Sequence, residues 1–314
     1  MKNFKNVQLA KINNFSKPKH YITAYELHEK LNKNLNIKII GVISPDNSTE
    51  NIDGAYLVWR NDYSGKNSLE AKSKDLDGFR HTKEQMEELL SKADITSDSE
   101  IIIYSSNAHH DASRLFWQIK TLGHKNVKIL DGGINKWIIE NFPLGSSKRL
   151  VQENLKSKYI SPDYKPKLNY ANIEMVTFAI ENPNDWVIID ARSEAESNGT
   201  AYISGAYGKG GIKNSIHIEW SKTLDSDTLL LDRETLENIY SQTKNKKVIA
   251  FCQSGVRSAH TIVVLENVLG LNDVYNYDGS WIEWSYVASN ASINVVSKDL
   301  RQKVIGYTTN WSEV

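Results

Sequence analysis

Two stretches of this 314-residue chain repeat one another. KILDGGINKW, Lys128 to Trp137, matches YNYDGSWIEW, Tyr275 to Trp284, in the pattern Asp-Gly-x-x-x-x-Trp at an offset of 147 residues. The same offset lays IIIYSSNAHHDA, Ile101 to Ala112, over VIAFCQSGVRSA, Val248 to Ala259. With the offset grown by about a dozen residues, IDGAYLVW at Ile52 to Trp59 faces IKNSIHIEW at Ile212 to Trp220. Matches in the same order along the chain predict a duplicated domain, each copy a complete folding unit. The length agrees, because domains run to roughly 100 to 200 residues; two cores are therefore expected.

Each copy alternates short apolar runs with amphipathic stretches. Ile37 to Ile43, Ile101 to Tyr104 and Val127 to Leu130 read as buried strands, with Trp186 to Ile189, Val248 to Phe251 and Val274 to Tyr277 as their counterparts. Helical patterns lie between them at Thr82 to Ala93, Asp111 to Leu122, Arg233 to Thr243 and Ser258 to Leu269. Strand, helix, strand in succession predicts an α/β fold, a parallel sheet flanked by helices in each copy. The expected division is residues 1–147 for the first copy, 148–169 for a Ser-, Lys- and Pro-rich linker, 170–290 for the second copy, and 291–314 for an extension packed on a domain.

Composition narrows the function. The 38 Lys+Arg balance 38 Asp+Glu, so no global field draws in nucleic acid or an anionic membrane. No apolar stretch approaches the ~20 residues that span a bilayer, and MKNFKNVQLAKINNF lacks the apolar core of a signal peptide; a cytoplasmic address is expected. A single cysteine, Cys252, rules out an intramolecular disulfide framework and an all-cysteine zinc site.

That cysteine follows the run VIAF and opens a loop, Gln253-Ser254-Gly255-Val256-Arg257, before a helical run. A strand-loop-helix turn gathers backbone N–H groups and the positive end of the helix around one point, an anion-stabilising cradle for sulfur. The thiolate is the nucleophilic form, and Arg257 adds a fixed positive charge nearby. Gly255 is expected to supply a backbone angle that other residues resist. Alone, such a cysteine is more often inert filler; its surroundings argue otherwise.

The C-Q-S-G-V-R loop, the D-A-R triplet Asp190-Ala191-Arg192 one strand earlier, the I-x-x-x-I-H-I-E-W run and the D-G-S-W-x-E-W run together resemble the two-domain rhodanese family. The resemblance covers roughly Tyr21 to Trp284 and implies tandem rhodanese-like domains with the active cysteine in the second. It further implies that Cys252 takes a sulfane sulfur from thiosulfate or 3-mercaptopyruvate, holds it as a persulfide, and passes it to cyanide, a thiol or a protein acceptor. No cofactor or metal is expected, and the partners are a small anionic sulfur donor and a thiophilic acceptor.

The repeat tests this within the chain. Ser105 stands 147 residues before Cys252, and His110 stands 147 before Arg257. An alcohol cannot hold a sulfane sulfur as a persulfide does, so the first copy should be catalytically silent and wall one side of the substrate cleft.

Thiol phosphatases of related fold place five residues between Cys and Arg; here Gln253, Ser254, Gly255 and Val256 make four, a tighter cradle. An arginine ending the loop favours an inorganic dianion, which points to thiosulfate; mercaptopyruvate enzymes commonly carry small polar residues at the Gln253 and Arg257 positions. Arg192 could bind the substrate anion or pair with Asp190 or Glu194. Asp190 is expected to orient Arg257 or the loop amides, or to serve the scaffold. Trp281 and Trp220 line the pocket mouth or belong to the interdomain core. Where some family members have a basic residue four positions after the D-x-R arginine, this chain has Glu196.

Three motifs read as decoys. His109-His110-Asp111 is expected to be a helix start rather than a metal cluster. GAYGKGG, Gly205 to Gly211, lacks the Gly-Lys-Ser/Thr ending of a phosphate loop and is expected to be a flexible loop near the cleft. His260 is expected on a helix surface rather than paired with Cys252 as in a protease. The principal expectation is a sulfurtransferase; a non-catalytic sulfur-relay or redox-sensing module and a phosphatase are the alternatives.

Overall fold

The structure, a computed structural model, describes residues 2–33, 37–46, 51–65, 76–106, 109–149, 157–289 and 296–314. Its first half is built on strands β1 (Tyr21–Ile22), β2 (Ile37–Val42), β3 (Tyr56–Val58), β4 (Glu100–Ser105), β5 (Val127–Leu130) and β6 (Lys148–Arg149). They pair in the order β1-β5-β4-β2-β3-β6, every pairing parallel. The second half uses β7 (Tyr170–Ala171), β8 (Trp186–Asp190), β9 (Gly208–Ile212), β10 (Ser215–His217), β11 (Lys247–Phe251) and β12 (Val274–Tyr277). Its sheet, β7-β12-β11-β8-β10, repeats the first five strands of that order without a counterpart of β6, again all parallel.

The apolar runs become central strands because both faces are covered: Ile101, Ile102, Ile103 and Tyr104 are fully buried, as are Val248, Ile249, Ala250 and Phe251. Helices start where the sequence offers caps. Thr82 and Gln85 form a reciprocal capping box before Lys83–Lys92, and Asn172 caps Ile173–Glu181. Helix α1 (His110–Thr121) follows β4, and α2 (Val256–Val264) follows β11.

These two helices pack against each other and join the halves. Ser113 Oγ lies 3.4 Å from His260 Nδ1, and the two positions are 147 residues apart. Equivalent residues touching one another place an approximate two-fold axis between the copies. Instead of two separate cores, the largest apolar cluster runs through both halves, from Leu115 and Ile119 to Ile262 and Leu265. His260 is accordingly not on a free helix surface. It is 1% exposed in the interface, with Nε2 2.7 Å from Thr223 Oγ1.

Two segments differ from their sequence reading. Lys148 and Arg149, expected in the linker, pair with β3 as the edge of the first sheet. Further along, Tyr159 is buried against Ser91 and His124, so that stretch packs on the first copy; residues 150–156 of the expected linker lie outside the described residues. GAYGKGG is not a flexible loop, because Gly208–Ile212 is strand β9, paired antiparallel with Thr308–Glu313 at the end of the chain. The extension thus adds a strand, and its helix Lys298–Gly306 packs on Ser280–Ala288. Among the described residues no helix is long and apolar enough to cross a membrane.

Candidate active site

Cys252 sits at the carboxyl end of β11, the sheet edge where parallel α/β folds place their sites. The chain turns through Gly255, at φ +75°, directly into α2. A side chain there would be strained by that angle and would also strike Arg114 Nη1 at 2.8 Å and the Asp278 carbonyl at 2.9 Å. The loop is strapped to the D-G-S-W segment. Cys252 N–H donates to Ser280 Oγ (3.1 Å), and the carbonyls of Cys252 and Gln253 accept from the amides of Trp281 (3.0 Å) and Ile282 (3.1 Å). Asn276 Nδ2 donates to the Gly255 carbonyl (3.0 Å), and Asn276 Oδ1 accepts from Ser258 Oγ (2.7 Å), which lies 3.4 Å from Cys252 Sγ.

These contacts decide the state of the thiol. Cys252 is 1% exposed, and burial pushes a thiol up. Against this act the charge of Arg257, the Ser258 hydroxyl, and the amides of Ser258 and Ser254, and together they hold the thiol below its ordinary range. Arg257 gives its two terminal nitrogens to Glu196, 2.7 and 2.9 Å away, and is held firmly charged by Glu196 and Cys252. An end-on pair with a carboxylate leaves Nε and the inner N–H groups of a guanidinium to face another acceptor. Glu196 is itself fixed, accepting from the Ser193 amide and hydroxyl in a capping box. Glu196, noted in the sequence as an acid, thus orients Arg257 and cancels part of its charge.

The remaining expected site residues divide by position. Gln253 is buried and its Nε2 donates to the Ile203 carbonyl (3.2 Å), while Ser254 packs against Gly78 of the first copy. Val256 is buried at the start of α2. Arg192 does not face the cleft. It is 1% exposed, with Nε and Nη2 on the Asp190 carboxylate (2.9 and 2.7 Å), Nη2 on the Gly210 carbonyl (2.9 Å), and its plane over Trp281 at 4.6 Å. Asp190 therefore orients Arg192, not Arg257, and neither is placed to meet a substrate anion. Trp281 is buried rather than at a pocket mouth, its indole N–H donating to Gly208 O at 2.8 Å. Half-buried Trp220 packs against His110 between the copies, ring centres 4.3 Å apart and planes tilted by 52°.

Four features around Cys252 were not expected from the sequence: the Glu196–Arg257 pair, Ser258 with Asn276 beside the sulfur, Arg60, and Arg114. Arg60, in the first copy, is half-exposed, bonds Asp111 at 2.8 Å, and lies within the field of a Cys252 thiolate. The S-x-x-E spacing of a capping box could have drawn attention to Glu196; nothing local marks the others.

In the first copy Ser105 ends β4 where Cys252 follows β11. His110, in the place of Arg257, turns its Nε2 to Asp111 (3.2 Å) and its ring to Trp220; residues 107–108 of that loop lie outside the described residues. His109 binds Asp131 at 3.2 Å, and among the described residues no group of three or more His, Cys, Asp or Glu could hold a metal ion.

The family model of the rhodanese-like domain matches the chain twice, over residues 23–140 and 179–286. The chain belongs to the rhodanese-like family. This rhodanese is 31% identical over 268 residues to the "Putative thiosulfate sulfurtransferase" of Saccharopolyspora erythraea, covering 80% of this chain and 89% of that one. The protein of the same name from Mycolicibacterium smegmatis is 32% identical over 210 residues, 64% of this chain and 73% of its own length. Among solved structures, the Tum1 protein from Saccharomyces cerevisiae shares the fold with TM-score 0.71 at 20% identity, covering 86% of this chain and 95% of Tum1. The anaerobic ergothioneine biosynthesis enzyme from Chlorobium limicola does so at 0.72 and 18% identity, covering 86% of this chain and 69% of that one.

Proposed function

We propose that this rhodanese is a thiosulfate sulfurtransferase that carries sulfur on Cys252 as a persulfide. The observation that carries the reading is the Cys252 loop itself: a thiol held below its ordinary range by Arg257 and by the Ser254 and Ser258 amides, in one copy of a duplicated fold. The Cys252 thiolate attacks the outer sulfur of thiosulfate; the donor S–S bond breaks and its electron pair leaves with sulfite. A Cys–S–S⁻ persulfide remains, its charge facing the same donors that stabilised the thiolate. Cyanide or a thiol then attacks the outer sulfur and regenerates the thiolate. No external oxidant or cofactor enters, and the first product leaves before the acceptor binds, which gives ping-pong kinetics.

Two relatives named "Putative thiosulfate sulfurtransferase" support the donor. Arg257 supports it less than its charge suggests, since Glu196 occupies one edge of the guanidinium. For that reason 3-mercaptopyruvate is the second reading of the donor. A protein acceptor fits a relative from Thermus thermophilus named "Sulfur carrier protein TtuD", 28% identical over 213 residues. Specificity constants for thiosulfate and 3-mercaptopyruvate, with cyanide as acceptor, test the assignment. The larger constant is expected for thiosulfate, and Arg257→Gly should lose thiosulfate use more than mercaptopyruvate use. Equal losses, or a larger constant for mercaptopyruvate, would transfer the assignment to the second donor.

A further inference from the structure

We propose that Arg114, in the copy that has no thiol, is a positioning residue for the Cys252 loop. Arg114 is fully buried on α1, its guanidinium over the Trp117 ring at 5.0 Å. From there it reaches out of its own domain. Nη1 donates to the Gly255 carbonyl at 3.3 Å, in the middle of the reactive loop. Nη2 pairs with Asp278 Oδ1 at 2.5 Å and donates to the Gly78 carbonyl at 3.0 Å. Asp278 is buried as well, and its other oxygen accepts the Arg80 amide at 3.1 Å.

Gly255 lies between the two amides, Ser254 and Ser258, that bond the sulfur. Its carbonyl is held from two sides, by Asn276 Nδ2 in its own domain and by Arg114 from the other. Gly255 also has the widest conformational freedom in the loop and sits at φ +75°. Without an anchor on that peptide, the distance and angle from each flanking amide to Sγ would be poorly fixed, and stabilisation by preorganised dipoles depends on fixed geometry. The arginine acts here through shape rather than net charge, because Asp278 neutralises it.

The repeat shows that this is not a generic interdomain pair. Asp131, 147 residues before Asp278, is likewise held from across the interface, by Leu230 N–H at 3.0 Å, while Lys11 lies 3.3 Å away. The position equivalent to Arg114 in the second copy is Thr261. Each Asp-Gly-x-x-x-x-Trp aspartate thus takes partners at the interface, but only at Asp278 does a partner continue to the reactive loop.

The proposal rests on Cys252 being the reactive group but not on which donor it uses, so its test reads the thiol and not sulfur transfer. The rate of iodoacetamide alkylation of Cys252, the sole cysteine, is measured against pH in the full chain by intact mass. For Arg114→Met the alkylation midpoint should move up by about one pH unit, roughly a tenfold slower reaction at pH values below the wild-type midpoint. Ser113→Ala, which alters the same interface without touching Gly255, should keep the wild-type midpoint. A wild-type midpoint in Arg114→Met, or an equal shift in Ser113→Ala, overturns the proposal. If Arg114→Met does not fold, Arg114→Lys replaces it: one ammonium cannot serve Asp278, Gly78 and Gly255 together, so the same upward shift is expected and its absence is equally decisive. A shifted midpoint in a protein that accepts no sulfur from either donor would leave Arg114 in place and remove the proposed function.

Discussion

Strands β4 and β11 occupy the same place in their sheets, and each leads through a short loop into the helix that faces the other copy. One ends at Ser105 and the other at Cys252, and the differences do not stop at that atom. Arg257 answers to His110 and Ser258 to Asp111. Asp190, opposite Phe251 in the sheet register, corresponds to Gly41 opposite Tyr104. A Cβ at Gly41 would fall 2.6 Å from the Tyr104 hydroxyl, so the Asp190–Arg192 pair has no room in the first copy. The first copy has no thiol, arginine or Asp-Arg scaffold at these positions, which form interface instead. His110 packs on Trp220, Asp111 pairs with Arg60, and Arg114 grips Gly255. The helix of the first copy that follows Ser105 therefore packs on, and reaches into, the loop that carries Cys252.

Exchanging the two side chains should break this comparison most severely. Cys252→Ser should lower sulfur transfer by about a thousandfold or more, because an alcohol cannot take the persulfide role. Ser105→Cys should leave the rate unchanged, since His110 supplies no fixed cation; a second functional site in that variant would show that the thiol alone separates the copies. Next comes the scaffold. Arg192→Met leaves Asp190 buried and unpaired and should cost about 3–5 kcal/mol in denaturant unfolding, whereas an effect confined to donor binding would return Arg192 to the cleft. Arg257→Gln should slow persulfide formation by about 10- to 100-fold and raise the pH at which Cys252 is alkylated, since the cation that holds the thiol down is gone.

The smallest effect concerns pH. Burial, with His109 and His110 nearby, keeps His260 neutral well below the ordinary imidazole range. As pH falls past about 6.5 the unfolded chain binds a proton that the folded interface refuses. Stability should therefore fall with pH, by up to about 1.4 kcal/mol per pH unit from this group. Buried His20 and His124 and half-buried His81, all depressed chiefly by burial, add their own share from the first copy. His260→Gln should flatten the thermal unfolding profile between pH 5 and 7 without abolishing its slope; an unchanged slope would show that the interface histidine is not the group being titrated.

Much of this was legible in local sequence. The β-branched runs mark the central strands to within a residue or two, and the offset of 147 identifies both copies and the missing thiol. What was not legible depends on partners distant in the chain. Glu196 meets Arg257 across 61 residues, and Arg114 meets Gly255 across 141. Gly208–Ile212 reads as a loop because its strand partner, Thr308–Glu313, comes about a hundred residues later. Arg192 was ambiguous because a residue just past a strand end can turn toward the cleft or back under it. Asp190, Gly210 and Trp281 determine the second outcome.

The asymmetry itself is open to one direct measurement. Purified protein is incubated with thiosulfate, its intact mass is taken, and the modified peptide is located. One added sulfur on Cys252, lost in Cys252→Ala and still single in Ser105→Cys, is the expected result. No added sulfur on the wild type, or an added sulfur that persists in Cys252→Ala, would contradict it.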